Sequence, residues 1–301
     1  MKKVLITGAN GLLGQKLIDL YLTKQDRTVI GTGVGPCRHD RKGSFKYEEL
    51  DITNEADVMA LITEIKPDTV INTAAMTNVD ACESDREGCD KLNIDAVRYL
   101  VNACNVNRAH LIHISTDFIF DGTHGPVSEE EAPKPLSYYG WSKYKGEQEV
   151  TQHSQSYAIL RTVLVYGVVS DMSRSNIVLW AKGALEKQQP MKVVNDQFRT
   201  PTLAEDLAMG CYLAEVKEAK GIFNISGKDF LRIDELVIRV ANFFGYDTAC
   251  VSTTSSDVLN QAAKRPPITG FIIDKARKEL GYEPHSFEDG LAIVAGQLKG
   301  K

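Results

Sequence analysis

The 301-residue chain contains no run near the roughly 18 consecutive apolar residues that a membrane-spanning helix needs. It also lacks a surplus of positive charge: 35 Lys and Arg stand against 40 Asp and Glu, a formal net charge of -5. Without a basic excess there is no electrostatic footprint for a nucleic acid. Its six cysteines, at positions 37, 82, 89, 104, 211 and 250, form no C-x-x-C pair, and the step from Cys82 to Cys89 is too long for a zinc knuckle. Neither a disulfide framework nor a metal centre is read from them, and reduced, partly buried thiols are expected. Internal repeats, low-complexity tracts and long linkers are also missing. Met1-Lys2-Lys3 leads into an apolar run too short for a signal-peptide core, so a cytoplasmic location is expected.

What is present is an ordinary globular composition, 43% hydrophobic and 25% charged, in a chain long enough for a large α/β domain and a smaller lobe. The run Lys3-Val4-Leu5-Ile6-Thr7 reads as a buried strand and is followed at once by Gly8-Ala9-Asn10-Gly11-Leu12-Leu13-Gly14. Three glycines at intervals of three then lead into an amphipathic helical run. This pattern suits a phosphate cradle: Gly8 for the tight turn, Gly11 for close approach of backbone to a pyrophosphate, and Gly14 for close packing of helix on strand. The free N–H groups of the helix start then face the phosphates.

Strand and helix patterns alternate from there. Residues 28–32, 69–74, 109–115 and 157–165 read as strands; 56–65, 91–105 and 139–151 read as helices, the last with Ser137 as a candidate cap. Alternation of this kind predicts a Rossmann-like, doubly wound parallel sheet. Beyond Gly167 the pattern loosens into helices at 175–187, 203–216, 233–244 and 287–298, with short strands at 191–194 and 222–225 and a Pro266-Pro267 break.

An NAD site usually places an acid about 20 residues past the glycine turn. Here the second strand ends Gly31-Thr32-Gly33-Val34-Gly35, and Arg38, His39, Arg41 and Lys42 follow. Arg offers a planar fork to a 2′-phosphate, so NADPH is expected, with NADH as the alternative. Asp51 and Ile52 are placed beside the adenine.

Tyr139 and Lys143 form a Y-x-x-x-K pair on one helix face, after a strand that ends at Ser115-Thr116-Asp117. That strand end is where a doubly wound sheet binds its ligand, so Thr116, Tyr139 and Lys143 are expected to converge over a nicotinamide ring. Tyr139 would protonate the oxygen left by hydride transfer, with the ammonium of Lys143 lowering its pKa. Thr116 would orient the carbonyl. His113, on the same strand, is expected to be a hydrogen-bonded core histidine.

These residues resemble the dTDP-4-dehydrorhamnose reductase family of extended short-chain dehydrogenase/reductases over nearly the whole chain. Thr7 to Gly14 fits its N-terminal signature, and Asn72-Thr73-Ala74-Ala75-Met76-Thr77-Asn78-Val79-Asp80 resembles its N-A-A-x-T-x-V-D segment. Ser115-Thr116-Asp117-Phe118-Ile119-Phe120-Asp121-Gly122 resembles S-T-D-Y-V-F-D-G; Asp196 to Thr202 resembles D-Q-x-G-x-P-T; and Arg265-Pro266 matches a late R-P. The resemblance implies reduction of a nucleotide-sugar 4-keto group, with Thr116, Tyr139 and Lys143 as the catalytic set. It also implies a sheet domain of residues 1–168 and 191–226, and a substrate lobe of residues 169–190 and 227–301.

Together these readings assign Gly8, Asn10, Gly11, Leu12, Leu13, Gly14, Arg38, Asp51, Ile52, Ala74 and Ala75, with Tyr139 and Lys143, to the cofactor. Thr77, Val79, Thr116, Asp117, Phe118, Tyr139 and Arg199 are assigned to the substrate. Two positions depart from the family pattern. Arg199 stands where glycine is usual, either to contact a diphosphate or to mark a different sugar. Lys16 stands where some members carry an acid linked to a magnesium-bridged dimer, and no metal is expected here. A homodimer is left open. Two other readings remain: a dehydratase or epimerase, which Phe118 in place of a carboxylate disfavours, and a regulatory NADP-binding subunit similar to the beta subunit of methionine adenosyltransferase.

Overall fold

The structure, a computed structural model, describes residues 1–172, 175–259 and 261–299. Its strands, in chain order, are β1 (Lys2–Thr7), β2 (Arg27–Gly33), β3 (Lys46–Glu49), β4 (Thr69–Asn72), β5 (His110–Thr116), β6 (Tyr157–Thr162), β7 (Val165–Tyr166), β8 (Met191–Val194), β9 (Phe198–Arg199), β10 (Thr202–Leu203), β11 (Gly221–Asn224), β12 (Leu231–Arg232) and β13 (Val251–Thr254). The helices are α1 (Leu12–Tyr21), α2 (Glu55–Ile65), α3 (Val79–Ser84), α4 (Arg86–Asp90), α5 (Ala96–Asn107), α6 (Tyr138–His153), α7 (Ile177–Glu186), α8 (Ala204–Val216), α9 (Ile233–Phe244), α10 (Asp274–Leu280) and α11 (Phe287–Lys299).

Seven parallel strands form the main sheet in the order β11-β6-β5-β4-β1-β2-β3, the doubly wound arrangement expected. Alternate residues of the inner strands feed two separate cores. Val4, Ile6, Ile71, Ile112 and Leu160 point to one face, with Leu13 and Leu17 of α1 and Leu207 of α8. Leu5, Val70, Leu111 and Ile159 point to the other, with Ile62 of α2 and Leu100 of α5. This two-sided burial explains why the strands read as nearly continuous apolar runs. The chain leaves β1 in one direction and returns to β4 on its other side, so the crevice between the C-terminal ends of β1 and β4 is the switch point.

Three features depart from the sequence pattern. β3, Lys46-Tyr47-Glu48-Glu49, was not foreseen because it is a charged edge strand, and edges tolerate charge. The helix expected from residue 91 begins as a wide turn of π geometry, Lys91–Asp95, before α5. Residues 191–194, expected in the sheet domain, instead pair in parallel with β13. They pack into a third core with Val178 of α7, Val237 of α9 and Leu291 of α11. The buried residues Met191, Val193 and Val194 are apolar enough for either sheet, and only the partner strand decides between them. The chain rejoins the main sheet through α8 and β11. Among the described residues no helix is long and apolar enough to cross a membrane. All six cysteines are unpaired.

Candidate active site

The glycine turn closes against the strand end beside it. Gly8 has a positive φ of 69°, and a Cβ there would lie 2.9 Å from the backbone nitrogen of Ala74 after β4. A Cβ on Gly14 would come within 2.3 Å of the Gly8 carbonyl oxygen, so α1 lies directly on the turn. Gly11 caps α1 without a side chain to accept from the helix's first amide groups. An uncapped helix start behind a glycine turn, with Leu12 and Leu13 opening the helix, fits a pyrophosphate. Gly14→Ala is therefore expected to push α1 off the turn and cost about 1–3 kcal/mol, with loss of dinucleotide binding. Urea unfolding and a fluorescence titration of the nicotinamide cofactor check both effects.

Asn10 ties this turn to the loop after β2. Its Nδ2 donates to the Pro36 carbonyl and the Tyr47 hydroxyl at 3.1 and 3.0 Å, and its Oδ1 accepts from the Arg38 amide at 2.8 Å. The loop thereby brings Arg38 beside the cradle, with its half-exposed guanidinium 3.7 Å from Asp171. The neighbouring basic residues behave differently. His39 is buried, with Nε2 3.4 Å from the Gln15 carbonyl oxygen, and Arg41 lies 3.6 Å from Asp19 on α1. Asp51 is exposed and accepts from the Thr53 amide and hydroxyl, while Ile52 is buried. Lys16 is held within the chain: its ammonium pairs with Glu205 at 3.0 Å and donates to Gln297 at 3.1 Å.

Thr116, Tyr139 and Lys143 come together at the C-terminal end of β5. Ser137 caps α6 by accepting from the Gly140 amide, as its position suggested, and this sets the first turn that carries Tyr139. The Tyr139 ring meets Phe118 edge-on at 5.7 Å and packs with Cys82 and Cys89. Burial pushes its phenol above the usual tyrosine range; the facing Thr116 hydroxyl opposes the rise and the Asp117 carboxylate adds to it. Lys143 donates to the Ile114 carbonyl at 2.8 Å, and burial lowers its pKa to about 8 against the opposing charge of Glu147. The sequence pattern predicts a tyrosine pKa lowered by the lysine; in the structure burial raises it instead.

Beneath the site, Asn93 in the wide turn before α5 donates to the Met76 carbonyl and the Ser142 hydroxyl and accepts from the Met76 amide. It locks the segment of Ala74, Ala75 and Thr77 against α6. Sequence reasoning missed it, since a wide turn leaves little periodic signal. His113 is fully buried, with Nδ1 3.1 Å from Asn72 Nδ2 and no partner for Nε2 among the described residues. Burial and the nearby Lys143 ammonium hold its pKa well below the ordinary range.

The substrate assignments divide. Thr77 is exposed, and Val79 and Phe118 line the tyrosine cluster. Asp80 of α3 reaches across to Arg265, with N–O distances of 3.2 and 2.7 Å. Arg265 borders an open cleft of about 540 Å³ with Leu136, Gln197, Lys264 and Pro267. Arg199 does not offer the free guanidinium expected for a diphosphate: it is buried, and its donors are taken by the Phe198, Pro266 and Pro267 carbonyls and by Gln197. A side chain this thoroughly bonded reads in sequence like any arginine near a pocket.

The strand order, with a glycine cradle at its switch point and a Tyr/Lys helix beside it, defines a Rossmann-type dinucleotide-binding protein. A family model described as "RmlD substrate binding domain" matches residues 1–299, and the chain belongs to that family. It is 30% identical over 293 residues to the probable low-salt glycan biosynthesis reductase Agl14 of Haloferax volcanii, covering 96% of each chain. It is 33% identical over 248 residues to methionine adenosyltransferase 2 subunit beta of Xenopus laevis, covering 81% of this chain and 72% of that one. Among solved structures, a dTDP-4-dehydrorhamnose reductase of Clostridium acetobutylicum superposes with a TM-score of 0.87 at 28% identity, covering 99% of both chains. The dTDP-4-dehydrorhamnose reductase of Bacillus anthracis in complex with NADP gives 0.85 at 27% identity, covering 99% of this chain and 100% of that chain.

Proposed function

We propose that the protein is an NADPH-dependent reductase of the 4-keto group of a nucleotide-activated deoxysugar, with dTDP-4-dehydro-L-rhamnose as substrate and dTDP-L-rhamnose as product. The observation that carries this reading is the buried Tyr139 phenol facing Thr116 at the strand end, one helical turn from Lys143. Bound NADPH supplies the hydride. Thr116 orients the keto oxygen, and Tyr139 gives its proton to the oxygen as negative charge develops there. Lys143, one helical turn from Tyr139 and donating to the Ile114 carbonyl, is assigned to stabilise the tyrosinate left after proton transfer. The sugar nucleotide occupies the cleft bordered by Arg265, between a sheet domain and a lobe built mainly from residues 169–190 and 227–301.

The test is nicotinamide oxidation with dTDP-4-dehydro-L-rhamnose, set beside other 4-keto nucleotide sugars. Turnover of that substrate supports the reading; turnover of a different keto sugar only would replace the substrate and keep the chemistry. Arg38 is assigned to the 2′-phosphate, with NADH as the weaker cofactor. Arg38→Ala is expected to raise KM for NADPH about ten- to a hundredfold, the worth of a charged hydrogen bond, and to leave KM for NADH unchanged. The likeness to a methionine adenosyltransferase beta subunit favours a second reading, an NADP-binding regulatory subunit. Tight NADPH binding with no turnover, together with copurification of a large catalytic partner, would select it.

A further inference from the structure

The Asp117 carboxylate sits between the catalytic threonine and the segment that borders the cleft. It is 2% exposed. Its Oδ1 accepts from the Thr116 hydroxyl at 3.1 Å. Its Oδ2 accepts from the Thr269 hydroxyl and lies 3.7 Å from Nε of Arg199. The same guanidinium donates to the Pro266 carbonyl at 2.8 Å and to the Pro267 carbonyl at 3.0 Å. Those carbonyls follow Arg265, which is bound to Asp80. One buried cation therefore joins β5, β9 and the 265–269 segment.

Resting on the reductase reading, we propose that Arg199 is a positioning residue: it keeps Asp117 an anion that anchors the Thr116 side chain beside Tyr139, and it ties that anion to the wall of the substrate cleft. A buried carboxylate without a countercharge takes up a proton. A protonated Asp117 can donate to Thr116 rather than only accept from it, and the hydroxyl loses its fixed direction. Among the described residues, the charged and titratable groups acting on Asp117 are Arg199 from β9 and Tyr139 from α6, with Arg265 acting on Arg199. Burial raises the Asp117 pKa, and Arg199 is the largest opposing influence. Removing that charge raises it further, so activity is lost at a higher pH as the solution is acidified. Lys supplies the charge but not the fork that reaches both proline carbonyls.

The experiment compares wild type, Arg199→Met, Arg199→Lys and Thr269→Val. NADPH affinity, set at the distant β1 turn, reports folding. Arg199→Met is expected to lower kcat about 10- to 100-fold, as misplacement of a catalytic group does, with little change in KM for NADPH and with the acid limb of the pH profile moved upward. Arg199→Lys is expected to restore the acid limb but only part of kcat. The Asp117 carboxyl, followed by carbon NMR and assigned by its loss in Asp117→Asn, is expected to titrate at higher pH in Arg199→Met. If Arg199→Met fails to fold, Thr269→Val decides, with a smaller shift in the same direction expected. An unchanged Asp117 titration and unchanged kcat in the variants would overturn the proposal. Wild-type protein that reduces no keto sugar would instead overturn the reductase reading, because the carboxyl titration is read without substrate.

Discussion

Tyr139→Phe is expected to lower kcat about 10²- to 10⁴-fold, with a much smaller loss of NADPH affinity, because the β1 turn holds most of the cofactor. Phenylalanine keeps the ring that packs with Cys82, Cys89 and Phe118, so the loss reports the hydroxyl alone. The pH profile adds a signed test. Burial holds the phenol above its ordinary pKa, so it stays protonated through neutral pH and its titration does not set the alkaline limb. Lys143, lowered to about 8 by burial, loses its ammonium first. The rate is expected to fall as pH rises through about 8. Steady-state kinetics with a 4-keto nucleotide sugar measure both effects, and a Tyr139→Phe enzyme with wild-type kcat would remove the phenol from the mechanism.

The second large effect is on stability. Glu147, one turn beyond Lys143 on α6, meets Arg161 of β6 through two hydrogen bonds of 2.9 and 2.7 Å. Both side chains are 3% exposed. Arg161 also donates to the Glu129 carbonyl at 3.1 Å. Removing one partner leaves a buried charge uncompensated, so Glu147→Gln or Arg161→Met is expected to cost about 3–5 kcal/mol, read from urea unfolding. The double variant Glu147→Met/Arg161→Met should recover much of that loss, since two apolar groups replace two charges. Glu147 also opposes the fall of the Lys143 pKa. In Glu147→Gln the alkaline limb is therefore expected to move to lower pH. Retained stability in the single variants would show that water reaches the pair.

Much of the architecture was legible because it depends on local patterns. The apolar runs and intervening amphipathic helices name a parallel sheet without any tertiary information, since two-sided burial demands them. Gly8 and Gly14 declare themselves because no other residue meets the positive φ of one and the backbone contact of the other. Ser137 announces α6 through capping chemistry. The spacing of Tyr139 and Lys143 follows from the pitch of that helix. The edge strand β3 and the wide turn at Asn93 were hidden, because neither carries an apolar period.

By itself, then, the sequence determined the doubly wound sheet, the position of the glycine cradle and the helix face shared by Tyr139 and Lys143, since each follows from neighbouring residues. The tertiary structure alone decided the rest. It turned His39 inward while leaving Arg38 beside the cradle, and paired β8 with β13. It spent the guanidinium of Arg199 on Asp117 and two proline carbonyls. It also raised the Tyr139 pKa by burial where the motif suggested a lowered one. These outcomes depend on which distant groups meet and how much water they lose, and desolvation is set by the assembled fold.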